Sequence, residues 1–148
     1  MGIVRWKNKL IRFVRLDGAD KWLLLRAMAH LATARIKLAV VPFRRLSARL
    51  STENDAVRTE PDPDILRRIG FAVSVAANHA PWRSDCFPQT IAAHNLLKRY
   101  GYDSTIHFGV ERVGEDTLNG HAWLTCGQTV VTGGAELHRY TELHSPSA

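Results

Sequence analysis

Near residue 102 the hydrophobic pattern of this 148-residue chain changes period, and that change limits the fold more than any other feature. Before it, apolar residues recur at three- and four-residue steps. After it, short runs rich in β-branched and aromatic residues are separated by "GEDTLNG" and "GQ". Helices come first and a sheet last, which is an α+β order. With 45% hydrophobic residues, a chain of this length has the material for one domain with a real core.

The first helix is expected in "DKWLLLRAMAHLATARIKLAVV", residues 20–41, where Arg26, His30, Thr33 and Lys37 make one narrow polar stripe. So narrow a stripe predicts a helix buried on most sides; a helix lying in a membrane surface needs a broader and more charged polar face. Pro42 breaks it, and "FRRLSARLS" adds a short basic amphipathic segment. Residues 51–62 hold almost no large apolar side chain and read as a connection. Asp62 followed by Pro63 has the form of an N-cap with proline at the first helical position, and Ile65, Ile69 and Val73 then predict a helix to about His79. A third helix is expected from about Cys86 to Tyr100, capped by Asp85 or Ser84 and closed by Gly101. "STIHFGVERV", "GHAWLTC" and "QTVVTGG" are the expected antiparallel strands. The chain thus divides into a basic helical region (1–50), a linker (51–62) and a core (63–148), the helical region packing with the core as one compact domain.

Charge is distributed unevenly. Net charge is +6, but residues 1–50 carry 12 Lys/Arg against 2 acids, and residues 51–148 carry 8 against 12. A basic front half suits nucleic acid, an anionic membrane or an acidic protein partner, or simply a solvated helix surface. No helix-turn-helix, zinc-finger or RNP-like stretch accompanies it, so nucleic acid is not the expected partner. Arg44, Arg45 and Arg49, crowded after Pro42, are the expected docking surface for a protein partner. Two cysteines are too few for the disulfide framework of a small secreted protein, and neither belongs to a CxxC pair, which points to a reducing, cytoplasmic setting. Lys7, Lys9, Arg12 and Arg15 interrupt the start of the chain, and Trp6 stands where a myristoylation signal carries Ser or Thr.

Cys86 opens a helix, where free N–H groups and the helix dipole favour a thiolate. It needs a base, and a histidine on a facing strand can carry a proton from nucleophile to leaving group. In "GHAWLTC", alternation sets His121, Trp123 and Thr125 on one face and Ala122, Leu124 and Cys126 on the other. Cys126 therefore reads as a small buried hydrophobe. His30, His79, His94, His107, His138 and His144 read as packing or surface residues, and Trp82 and Trp123, which flank Cys86 and His121 in sequence, need no role beyond packing.

The stretch "PWRSDCFPQTIAAHNLLKRYGYDSTIHFGVER", followed by "GHAWLTCGQTVV", resembles the protease domain of lasso-peptide biosynthesis B proteins, and "RLDGADKWLLLRAMAHLATARIKLAVVPFRRLSARL" is similar to their N-terminal helical part. The resemblance covers nearly the whole chain. It implies a papain-like, transglutaminase-type core with the cysteine at a helix N-terminus packed on a small antiparallel sheet. It also implies a cysteine peptidase that removes the leader from a ribosomally made precursor peptide, with Cys86 as nucleophile, His121 as base, and no metal or organic cofactor. The implied partners are that precursor, a separate leader-recognition protein, and a cyclase that closes the freed core into a macrolactam. Two alternatives keep the fold: acyl transfer to an amine at the same Cys-His site, and a non-catalytic peptide-binding module. The family's acidic third member is expected about a dozen residues after the histidine, where this chain has "TVVTGG" with Gly133. Glu136 is the nearest carboxylate and by itself reads as a surface residue; a main-chain carbonyl or the Thr132 hydroxyl could orient the imidazole instead.

Overall fold

The computed structural model describes residues 17–42, 45, 60–114, 116–135 and 137–143. Arg44, Arg49, Glu136 and His144 lie outside the described residues, as does most of the expected linker. The described chain is three helices followed by a small antiparallel sheet: α1 (Gly18–Val40), α2 (Pro63–His79), α3 (Cys86–Arg99), β1 (Thr105–Val113), β2 (Thr117–Cys126), β3 (Thr129–Thr132), a single 3-10 turn (Leu137–Arg139) and β4 (Thr141–Glu142). The sheet order is β3-β2-β1-β4. This is the α+β order expected from the change of period.

Each helix begins for a local reason. The Asp17 carboxylate accepts from the Gly18 N–H at 2.7 Å and starts α1. Asp62 accepts from the Asp64 N–H at 2.9 Å, with Pro63 at the first position of α2. Asp85 is the N-cap of α3 but its side chain makes no capping hydrogen bond. Gly101, at φ 76°, then turns the chain toward the sheet in a conformation that disfavours any side chain.

All three helices and β2 contribute to the main apolar cluster, with Leu23, Ala27 and Leu31 from α1, Leu66, Ile69 and Val73 from α2, Leu96 and Leu97 from α3, and Leu124 and Cys126 from β2; a smaller cluster joins Ala34 of α1 to Ile91 of α3. Contrary to the expectation from its narrow polar stripe, α1 buries a single face, Leu23, Ala27, Leu31 and Ala34. Trp22, Leu25, Ile36 and Val40 are exposed, between 56% and 76%. The reason lies in geometry: α2 and α3 approach α1 from one side, and Leu or Ala composition alone does not say how many neighbours a helix will have. The Arg26 guanidinium lies 5.3 Å from the Trp22 ring centroid and covers part of that exposed surface. Among the described residues, no helix is long and apolar enough to cross a membrane.

In the sheet, β2 starts earlier than its apolar residues suggest. Thr117–Gly120 pair with Val110–Val113 of β1 although their side chains are exposed, so "TLNG" extends the strand rather than the connection. The β2–β3 ladder shifts register between Leu124 and Thr125, which leaves Val131 as the extra residue of a bulge. Across the centre of the sheet, Gly109 of β1 pairs with His121 on one side and with Glu142 of β4 on the other.

Candidate active site

Cys86 is the first residue of α3 and is partly exposed. The N–H groups of the first helical turn have no acceptor inside the helix, so Cys86 stands at the electropositive end of α3. Two side chains of the same helix pin this end. The Gln89 amide donates to the Ser84 carbonyl at 2.7 Å, bracing the approach to the helix. Thr90, fully buried, donates to the Cys86 carbonyl at 2.8 Å and lies 3.4 Å from the Ala122 carbonyl, which stitches the turn bearing Cys86 to the strand residue next to His121. Thr90 does not stand out in the sequence as a site residue. Its signal was a hydroxyl four residues after Cys86, the spacing of back-bonding to a helix carbonyl.

His121 lies on β2 on the face opposite Ala122, Leu124 and Cys126, which are buried, as strand alternation requires. Its Nε2 lies 2.8 Å from the Gly133 carbonyl oxygen. A carbonyl only accepts, so Nε2 carries the proton and Nδ1 is left with its lone pair, the tautomer in which a neutral imidazole acts as a base. The orienting group sought in sequence is thus a main-chain atom. A side chain is excluded at position 133 on two counts: φ is 74°, and a Cβ there would meet the Ala122 carbonyl oxygen at 2.5 Å and the Trp123 backbone at 2.9 Å. Among the described residues the buried Thr132 hydroxyl has no hydrogen-bond partner, so it is not the group that orients the imidazole.

Cys86 and His121 line one cleft of about 330 Å³, together with Phe87, Phe108, Val110, Ala122 and Leu143, and with the bare backbone of Gly109 and Gly120. Among the described residues no hydrogen bond joins the thiol to the imidazole; what the two share is the cleft. Its walls are apolar, and Phe87 and Phe108 meet edge to face at 5.3 Å. The cleft is open to solvent on one side, and among the described residues Cys86 and His121 are its only titratable lining groups.

The rest of the His121 surroundings is aromatic. Tyr140 stacks on the imidazole at 4.6 Å between centroids and Trp123 at 6.1 Å. His107 lies flat against Trp123, 5.3 Å away and within 6° of parallel. It also takes part in a polar chain, with Nδ1 2.5 Å from the Glu142 carboxylate and Nε2 2.8 Å from the Thr125 hydroxyl. His107 is therefore more than a packing residue, whereas His79 closes on its own helix at Val75 and His94 is buried against Ser104. Cys126 is 2% exposed; burial, with a smaller contribution from Asp103, pushes its thiol pKa up, away from reactivity.

A family model described as the transglutaminase-like superfamily matches residues 28–145 of the chain, most of its length. No curated protein and no solved structure matches.

Proposed function

The chain belongs to the transglutaminase-like superfamily, and from that premise we propose that it is a cysteine peptidase in which Cys86 attacks a peptide carbonyl and His121 moves the proton. The observation that carries the reading is that His121, whose Nε2 is oriented by the Gly133 carbonyl, lines the same cleft as Cys86. With Nε2 protonated, His121 takes the thiol proton at Nδ1 and returns it to the leaving amine; water then attacks the thioester with the same nitrogen as base. The Cys86 N–H, unpartnered within the helix, is the first donor to the tetrahedral oxyanion. The proposed substrate is a ribosomally made lasso-peptide precursor cut between leader and core. A separate leader-recognition protein presents it, and a macrolactam-forming cyclase takes the product.

Replacing Cys86 by Ala should abolish leader removal from a lasso-peptide precursor while circular dichroism and melting temperature stay as in the parent. Cleavage at the parental rate by Cys86→Ala would defeat the assignment. Mass spectrometry of the products separates the two chemistries open to this fold. Hydrolysis adds one water across the cut bond, whereas acyl transfer leaves a new amide to a second molecule.

A further inference from the structure

A single hydrogen bond, His121 Nε2 to the Gly133 carbonyl, fixes a direction for the imidazole but not the plane of its ring. A base that transfers a proton over hydrogen-bond distance needs both, since a displacement of about 1 Å at such a group lowers rates by up to about 100-fold. We propose that Tyr140 is the positioning residue that sets the plane of the His121 ring, and that Leu137–Leu143 is the strap that holds Tyr140 over it. The proposal rests on the reading of His121 as the base.

The sheet is built to let Tyr140 through. Gly109 lies between His121 and Glu142 in the strand register, and a Cβ at Gly109 would meet the Trp123 ring at 2.8 Å and the Tyr140 Cβ at 3.0 Å. With no side chain at 109, Tyr140 reaches across β1 from the far side and stacks on His121, 24° from parallel. The strap has little backbone pairing of its own. Two residues of β4 pair with Gly109 and Val110, and the Leu143 N–H donates to the Phe108 carbonyl at 2.8 Å. Side chains add the latches. Arg139 donates to the Glu111 carboxylate at 2.8 Å, and Glu142 closes on His107, which Thr125 and the Trp123 ring hold in turn. Asn119 lies 3.4 Å from the Tyr140 hydroxyl. The same strap supplies Leu143 to the wall of the cleft, so ring and wall are latched together.

Tyr140→Phe, Tyr140→Ala and Glu142→Ala separate this role from simple packing. Turnover is read with p-nitrophenyl acetate as a generic acyl donor, and the His121 ring by its 15N shifts in the full chain. Tyr140→Phe should keep kcat within about twofold, because the stacking face remains. Tyr140→Ala should lower kcat about 10- to 100-fold with KM little changed, and should move the His121 nitrogens from the Nε2–H pattern toward tautomer averaging. Glu142→Ala should move the same signals the same way by less. The proposal is overturned if Tyr140→Ala leaves both kcat and the His121 shifts at wild-type values. Should that variant not fold, unchanged His121 shifts in Glu142→Ala overturn it instead. A wild-type protein that never turns over the ester sinks the peptidase reading, while the nitrogen shifts still decide the strap.

Discussion

Two thiols in this chain meet opposite surroundings. Cys86 stands half-open at a helix start, and Cys126 is sealed on the core face of β2, where burial raises its pKa. Iodoacetamide at neutral pH should therefore alkylate Cys86 at least about tenfold faster than Cys126, the difference vanishing in denaturant. Peptide mass spectrometry reads the two sites separately, and equal native rates would contradict the burial described for Cys126. Both assignments were legible because helix position and strand alternation are properties of the local sequence. The partner of His121 was legible only as a vacancy. The chain has Gly133 where a carboxylate was sought, and a carbonyl oxygen has no letter in a sequence; only the turn of the backbone, at φ 74°, aims it at the imidazole. Tyr140 was missed for a related reason. Its distance from His121 is set by a register that passes through Gly109, and nothing in its own neighbourhood marks it.

At the level of elements, the three helices could be read to within a few residues, since caps and periodicity are local. The 3-10 turn and the two-residue β4 could not, because neither has a hydrophobic period, and β4 exists through its pairing with β1. Nor could the single-sided burial of α1, which depends on where α2 and α3 arrive. Contact between α2 and the sheet edge makes a sharper case. By helix propensity, Gly70→Ala in the middle of α2 should stabilise the protein by up to about 1 kcal/mol. The structure reverses the sign. A Cβ at Gly70 would stand 2.5 Å from the carbonyl oxygen of Val131, the bulge residue of β3, which is backbone and cannot swing aside. We expect Gly70→Ala to destabilise by about 1–3 kcal/mol, the range for overpacking, as α2 shifts off the strand. Urea unfolding measures this directly, and a rise in stability would show that α2 and β3 have slack between them. Because β3 leads into Gly133, a helix pushed outward should also disturb the His121 contact.

For the molecule as a whole, the fold brings α1 against α2 and α3, and one titrating group lies at the junction. His30 of α1 is half-buried, and its pKa is lowered from 6.5, first by burial and then by the nearby charges of Arg99, Lys37 and Arg26. Arg99 belongs to α3, so part of that repulsion exists only when α1 and α3 are packed together. The consequence for stability has a definite sign. With the folded-state pKa below the unfolded value, the unfolded chain binds the proton more readily. Stability is then fully present above about pH 6.5 and is lost as pH falls through the folded-state pKa. Thermal unfolding followed between about pH 7.5 and 5.5 should therefore show a falling midpoint, and His30→Gln, which cannot titrate, should flatten that slope. Added salt should reduce the part due to the three cations, which are screened, and leave the part due to burial. A slope unchanged by His30→Gln would place the acid sensitivity elsewhere in the chain and would mean that α1 does not carry His30 into contact with the charged end of α3.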